Sequence, residues 1–461
     1  MFSVEDVVRG TQGALVGGDL AIPVSGVSID TRTLGVGDAF FAIQGQTDGH
    51  RHLKDAVARG AACLVVHALP DDVPTTLPVV LVDETTRALG RFAAYHRARF
   101  TVPVAAVTGS NGKTTTKELM AGALSALGPV LKPAGSFNNQ WGLPLTLLQI
   151  TSAHRAVAIE IGTNHPGEIA ALAALARPTV AAVTVVSTAH TEFLGSLDDV
   201  AVEKAALVAA VPAEGAVVLN IDDPRVAGMA ARSRARVLTV SARGAAADLR
   251  AADVGETPAG TLVVTLDARG ARHDARLAFA GRHNVVNALC AAGVGLALGL
   301  PLADIAAGLE TARPAKGRVV WREAGGVRLL DDTYNANPSS VLAALDTLRA
   351  ARGPRRLVVV LGDMLELGDV SVAAHRQVGE AVVAAGVAEF VGVGRYAQAA
   401  VEAARARGLV EAHHTTTFED TVALLLKRLA PGDALLVKGS RGMRMERVVD
   451  ALLARLGGED G

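Results

Sequence analysis

Lys113 and Thr114 follow two glycines in "VAAVTGSNGKTTTKELM", residues 104–120, where a β-branched apolar run passes through Gly109 and Gly112 into a helical pattern. Those residue types at that spacing can hold phosphate. Glycines let backbone N–H groups approach an anion, a helix N-terminus adds its positive dipole, a lysine reaches the terminal phosphates, and a hydroxyl on the next residue can ligate Mg2+. A glycine turn with a solvated lysine is the competing explanation. The standard eight-residue pattern also wants a glycine five places before Gly112, and this chain has Val107 there.

A nucleotide's metal needs further ligands. "RAVAIEIGTNHPGEI" sets Glu160 in the carboxyl end of an apolar strand, where an acid is costly unless it is paired or metal-bound. "TVVSTAHTEFLGSL" ends a strand with His190 in a similar position. Alone, His190 reads as an ordinary loop histidine; with Glu160 and Thr114 on neighbouring strand ends, the metal reading is the better one. Lys204, in "SLDDVAVEKAALV", reads from the residues as a solvated helix lysine.

These residues need an α/β scaffold that gathers strand ends. From 101 to about 312, strand-like runs ("VAAVTG", "RAVAIEIG", "TVAAVTVV", "GAVVLNID") alternate with helical ones, as in βαβ units on a parallel sheet covered on both faces. Residues 236–280 alternate like antiparallel strands and are expected to pair at an edge of the same domain. "TRALGRFAAYHRARF" (86–100) predicts an amphipathic helix, and a domain boundary falls near residue 100. After "ETARPAKGR" the alternation resumes, with a helix over 338–352, as a second doubly wound unit without a GxGxxG turn. The expected architecture is a small N-terminal α/β domain (1–100), a central P-loop-type domain with a parallel sheet (101–312) and a C-terminal Rossmann-like domain (313–461).

With 45 basic and 46 acidic residues, no basic field exists to recruit nucleic acid or anionic lipid. The apolar run 285–302 is rich in glycine and alanine and ends at Pro301, so it reads as a buried helix and not a membrane span. Cys63 and Cys290 lie in apolar contexts, as buried small hydrophobes of a reducing compartment. The N-terminus "MFSVEDVVRGTQG" has acids where a signal peptide needs basic residues, so a cytoplasmic location is expected. His413 and His414 are adjacent, without a third ligand near in sequence, and are expected in a surface loop. Trp321 reads as packing.

"TGSNGKTTT" (108–116) resembles the nucleotide loop of the Mur ligases, ATP-dependent amide-forming enzymes of peptidoglycan precursor synthesis, which share this shortened loop with folylpolyglutamate synthetases. Within that family, "FNNQWGLPLTLL", "EIGTNHPGEI", "DDTYNANPSSVLAAL", "LGDMLELG" and "VKGSRGMRME" are similar, in order and spacing, to segments of the members that join D-alanyl-D-alanine to UDP-N-acetylmuramoyl-tripeptide. The likeness runs from about residue 25 to 450. "DTR" for the commoner "DSR", "EIG" for "EMG" and the bulky Trp141 depart from it.

The resemblance implies roles residue by residue. Thr108, Gly109, Ser110, Asn111, Gly112, Lys113, Thr114 and Thr115 would cradle the phosphates of ATP, with Thr114 and Glu160 on one Mg2+. His190 would hold a second Mg2+ together with Lys204 carbamylated by CO2. Asn284 and Asn287 are the adenine candidates, Arg318 would reach the γ-phosphate, and Asp332 would hold the ribose. Ser28, Asp30, Thr31 and Arg32 would receive the uridine nucleotide, and Asn138, Asn139, Tyr334, Asn335 and Asn337 would contact substrate. The protein would act as a monomer on small molecules. A neighbouring ligase adding the third residue, a folylpolyglutamate synthetase and a P-loop switch that uses hydrolysis for conformational change are the other readings.

Overall fold

The computed structural model describes residues 2–45, 47–69, 77–187, 191–257, 260–350 and 355–457. The chain divides into two compact units, one of residues 1–106, 127–163 and 167–179, the other of residues 107–126, 164–166 and 180–461.

In the first unit the β-branched runs "CLVV" and "VVL" form the strands Cys63–Val66 and Val79–Leu81. They lie in a sheet whose order is Ala14–Val16, Val79–Leu81, Cys63–Val66, Ala39–Phe41, Val27–Ser28, antiparallel only at its Ala14–Val16 edge. The helix expected over 86–100 spans Thr85–Arg97. Glu84 starts it by accepting from Thr86 N and Arg87 N, and its apolar face buries Leu89 and Phe92. Its last residue turns its guanidinium onto the carbonyls of Phe100 and Ala176, which ends the helix three residues early. The same unit holds the parallel pair Val130–Leu131 and Ala156–Glu160 and the helices Gly142–Leu147 and Glu168–Ala176.

In the second unit, strands Val180–Val183, Ala216–Asn220, Arg236–Ser241 and Leu249–Glu256 pair in parallel, in that order. Leu262–Ala268 and Ala271–Leu277 then continue antiparallel to the edge. The antiparallel expectation for 236–280 therefore holds only for its later part. Arg236–Ser241 is parallel because the helical crossover Pro224–Gly228 and Met229–Arg232 returns the chain to the same end of the sheet. The apolar run 285–302 is one buried helix, Asn284–Ala297, plus a turn at Gly299 (φ +82°) that leads to a second helix, Leu302–Thr311. Among the described residues, no helix is long and apolar enough to cross a membrane. Both cysteines are buried, which pushes each thiol up to about 12 and leaves it inert as a nucleophile.

From residue 320 the unit forms its other sheet, in the order Val320–Ala324, Val327–Asp332, Ala434–Lys438, Leu357–Gly362, Glu389–Val393, Ala412–Thr415. The first pair is a hairpin turned by Gly325 and Gly326, both at positive φ, and the remaining pairs are parallel. Helices Pro338–Ala350, Ser371–Ala384 and Ala397–Ala406 bury one face, and Phe418–Arg428 and Glu446–Leu456 the other. At the amino ends of these strands, Arg356 pairs with Asp433 (2.7 Å) and Glu389 (3.1 Å), and Arg428 also pairs with Glu389. The opposite, carboxyl ends carry Asp332, Asp363, Gly394 and Ser440. His413 and His414 are not in a surface loop: they form the edge strand Ala412–Thr415, whose backbone pairs with Phe390–Val393, and His414 Nε2 lies 2.6 Å from Gly394 O. Trp321 packs on the core while the Arg328 guanidinium stacks on it at 4.2 Å.

Helix Lys113–Ala123 crosses helix Leu302–Thr311 at Gly122 and Gly308, where a Cβ on Gly308 would stand 2.2 Å from Gly122 O. Gly308→Ala gains about 1 kcal/mol of helix propensity, but the backbone contact forces the helices apart, a strain of about 1–3 kcal/mol. The expected outcome is a lower thermal midpoint for Gly308→Ala. Gly228→Ala, in a helix where the new Cβ meets nothing within 4 Å, should leave the midpoint unchanged or raised.

Candidate nucleotide and ligation site

Strand Val104–Thr108 is buried throughout, so Val107 is a strand residue and the turn begins only at Gly109. The loop that follows is fixed by close packing. A Cβ on Gly109 (φ +152°) would stand 1.9 Å from Thr184 Oγ1, and one on Gly112 (φ +82°) would stand 2.2 Å from Asn287 Oδ1. Both are positions for glycine alone. Ser110 N donates to Val185 O, the Ser110 hydroxyl donates to Ser187 O and accepts from Ser187 N, and Thr184 Oγ1 donates to Asn111 O (2.6 Å).

Helix Lys113–Ala123 starts at Gly112 with no side-chain cap, which directs its first N–H groups to the loop. Lys113 Nζ folds back onto Gly109 O at 2.8 Å, placing the ammonium over the loop. Thr115 is half-buried one residue beyond the buried Thr114. Arg318 comes to this point from the segment before the last sheet. Its guanidinium donates to Thr114 Oγ1 (3.1 Å) and lies 3.9 Å from the Tyr334 ring centroid, while its buried Nε has no hydrogen-bond partner. Val319, the next residue, has φ +57°, a left-handed conformation that β-branched residues rarely adopt. Asp332 holds this turn: it accepts from Val319 N and pairs with Lys438 Nζ at 2.5 Å. Burial pushes Asp332 up and Lys438 down, and their contact opposes both shifts.

Asn284 and Asn287 are buried beneath the loop. Asn284 Nδ2 donates to Ala280 O, Asn287 Nδ2 donates to Asn284 Oδ1, and Asn287 Oδ1 accepts from Thr116 Oγ1. Asn287 thus supports Gly112 from behind. Lys204 sits in helix Leu197–Ala210, opened by a Ser196–Asp199 capping box, and is only 2% exposed. Burial, aided by the charge of Lys113, lowers its pKa to about 7 against the opposing pull of Glu203. The solvated lysine read from the helix pattern is therefore a buried one, because its helix face turns inward. His190 lies outside the described residues.

In the first unit, Glu160 ends its strand fully buried; Oε1 accepts from Asn138 Nδ2 at 2.9 Å and Oε2 has no hydrogen-bond partner. A buried carboxylate oxygen in that state fits a cation. Gly162 lets Asn138 approach, since a Cβ there would stand 2.9 Å from the amide. Asn139 instead caps the next helix, accepting from Trp141 N and Gly142 N. Ser28, Asp30, Thr31 and Arg32 form a tight turn at the end of Val27–Ser28: Asp30 accepts from Arg32 N and pairs with its guanidinium, which pulls its carboxyl down to about 2.

Asn335 O accepts from Lys438 Nζ, and Asn335 Oδ1 from Ala336 N and Arg441 N. Asn337 and Asn111 face each other through their amides, with Ser187 and Ser339 beside them. Ser187, Ser339, Thr184 and Lys438 were not singled out by sequence. Serines and a threonine at strand and helix ends carry no spacing signal, and only the packed sheet shows that Lys438, in "LLVKGS", is buried.

The Mur ligase middle domain description matches residues 107–295, the Mur ligase glutamate ligase domain 317–441, and the Mur ligase family catalytic domain 23–97. The chain is 38% identical to the UDP-N-acetylmuramoyl-tripeptide–D-alanyl-D-alanine ligase of Mycobacterium tuberculosis, covering 93% of this chain and 92% of that protein. It is 38% identical to the enzyme of that name from Escherichia coli, covering 95% and 96%. Among solved structures, MurF from Acinetobacter baumannii aligns with a TM-score of 0.88 at 30% identity over 98% of this chain and 99% of that one. MurF ligase from Thermotoga maritima, in complex with ADP, aligns with a TM-score of 0.81 at 26% identity over 94% and 98%. The chain belongs to the Mur ligase family.

Proposed function

We propose that this protein is an ATP-dependent ligase that joins D-alanyl-D-alanine to UDP-N-acetylmuramoyl-tripeptide, acting as a cytoplasmic monomer in peptidoglycan precursor synthesis. The observation that carries the reading is the glycine loop with Arg318 on Thr114, in a chain that matches the tripeptide ligases over nearly its whole length. Residues 1–100 take the uridine nucleotide, 101–312 ATP and 313–461 the amine.

A carboxylate and an amine do not condense at neutral pH without a better leaving group than oxide. The tripeptide carboxylate attacks the γ-phosphorus of ATP, the bond to the β–γ bridging oxygen breaks, and ADP leaves an acyl phosphate behind. The free amine of D-alanyl-D-alanine then attacks the acyl carbon, loses a proton, and phosphate departs from the tetrahedral intermediate. The residues' main task is to bring two anions together: Lys113 over the loop and Arg318 at Thr114 offset the charge of the transferring phosphoryl group. Orientation of the reactants supplies up to about 7–11 kcal/mol.

Mg2+, when bound, supplies further charge neutralisation. In the first unit Glu160, with its unpartnered Oε2, would suit a cation, and in the second the candidate ligands would be Thr114, His190 and carbamylated Lys204. Burial favours the neutral amine to which CO2 adds, since a lysine with a pKa of about 7 is unprotonated in substantial part near that pH.

Phosphate release by the purified protein should require both the UDP-tripeptide and D-alanyl-D-alanine. Release driven by a folate or by a single amino acid would overturn the reading, as would an ATPase rate indifferent to any amine. Arg318→Ala should reduce kcat on the order of 10²-fold, with the affinity for the UDP-tripeptide, measured by calorimetry, within about twofold of wild type; equal losses in both would count against Arg318 acting on the phosphoryl group. With ¹³C-bicarbonate, a carbamate resonance should appear in the wild type and be missing in Lys204→Arg. Because the amine is protonated below a pKa of about 7, the resonance should strengthen as pH rises through that value and fade as it falls.

A further inference from the structure

The segment Asn335–Asn337, in "DTYNANPSS", is tied on two sides. On one side it belongs to the loops at the carboxyl ends of the last sheet. Asn335 O accepts from Lys438 Nζ (2.8 Å), and Ala336 O accepts from Ser440 Oγ (3.2 Å), the same hydroxyl that accepts from Leu365 N (2.8 Å) in "GDMLELG". The next hydrogen bonds run to the nucleotide loop. Asn337 Nδ2 donates to Asn111 Oδ1 at 2.8 Å, and Asn111 Nδ2 donates to Ser339 Oγ (2.8 Å), to Ser187 Oγ (3.1 Å) and, at 3.4 Å, back to Asn337 Oδ1.

The orientation of the Asn337 amide is fixed by its surroundings. Ser340 N donates to Asn337 Oδ1 at 2.9 Å, as at the start of a helix, so the oxygen must point there and Nδ2 must point at Asn111. One buried amide plane therefore caps helix Pro338–Ala350 and holds Asn111 of the loop. Asn111 is constrained in turn through its own carbonyl, which accepts from Thr184 Oγ1.

We infer that Asn337 is a positioning residue for ligation: through Asn111 it sets the phosphate loop in register with the loops around Leu365 and Ser440, so that the γ-phosphate end of the nucleotide and the amine are aligned together. The inference rests on the proposed ligase reading. It concerns alignment, and so the turnover of bound substrates more than their affinity. A misplacement of about 1 Å at a reacting centre costs on the order of 10² in rate.

Two functions of the same amide can be separated. Asn337→Asp keeps an oxygen for Ser340 N and loses the donor to Asn111, whereas Asn337→Ala loses both. The measurements are kcat for amide formation, KM for D-alanyl-D-alanine, ADP affinity by calorimetry and the thermal midpoint, on the full chain. The expected result is a kcat lowered on the order of 10²-fold in both variants, with ADP affinity within about twofold of wild type in the uncharged Asn337→Ala and a midpoint that falls in Asn337→Ala and recovers in Asn337→Asp. Asn111→Ala combined with Asn337→Ala should lose no more kcat than the worse single variant, the mark of residues acting as a unit. A kcat that recovers with the midpoint in Asn337→Asp, or a double variant whose loss is the product of the singles, would overturn the inference. A wild type without amine-dependent phosphate release would instead overturn the ligase reading; an amine-dependent wild type matched by Asn337→Asp removes the inference alone.

Discussion

The nucleotide loop has no room for a Cβ atom at two places, and most of the second unit can be traced from that constraint. Gly109 lies against Thr184 and Gly112 against Asn287. Thr184 follows strand Val180–Val183, and Asn287 projects from helix Asn284–Ala297, so the loop takes its shape from a strand end in front and a buried helix behind. That helix is made almost wholly of small and aliphatic residues, and a Cβ on its Gly293 would stand 2.6 Å from Val218 of the sheet. The close crossing at Gly122 and Gly308 fixes the far end of the helix that leaves the loop. A backbone cradle for phosphate works only when its N–H groups are fixed before the anion arrives, and rigid packing supplies that order.

Charge is arranged on the same scaffold. Lys113 and Arg318 bring positive charge to the loop in a chain of almost balanced charge, whereas burial and the nearby Lys113 disfavour the protonated form of Lys204. Arg318 reaches the loop from a turn whose Val319 is left-handed, a strain of about 1–3 kcal/mol. The Asp332–Lys438 pair beneath that turn, with Val319 N donating to the aspartate, holds the strained backbone in place. Removing one partner of such a buried pair leaves the other charge uncompensated, which is strongly destabilising even where the intact pair adds little net stability.

The alternation of apolar runs and helical patterns was enough to read the α/β class, the helix near 86–100 and the second doubly wound unit, because buried parallel strands must be continuous in apolar residues. Glu160 was legible for the same reason: an acid in such a run stands out. Lys204 was not, since a lysine every few turns is what a solvated helix also shows, and only the packing of helix Leu197–Ala210 reveals its burial. The direction of Arg236–Ser241 depends on where the crossover returns the chain, a tertiary fact absent from local alternation. His413 and His414 were read by their lack of ligand spacing, whereas a short edge strand forms wherever a neighbour offers a free backbone ladder. Ser187 and Ser339, being ordinary polar residues at strand and helix ends, gain meaning only from Asn111 between them.

The polar groups that join Asn337, Ser339 and Ser187 to the nucleotide loop are all amides and hydroxyls, and their neutrality has a physical reason. A carboxylate in that position would repel a polyphosphate, and a cation would compete with Lys113 and Arg318 for it, shifting with every change in nucleotide charge as ATP becomes ADP. Neutral donors and acceptors have fixed directions and little long-range field, so they hold register while the charge beside them changes. On the proposed ligase reading the scaffold separates two tasks: charged side chains meet the phosphate, and uncharged ones keep the loop and the last sheet aligned around it.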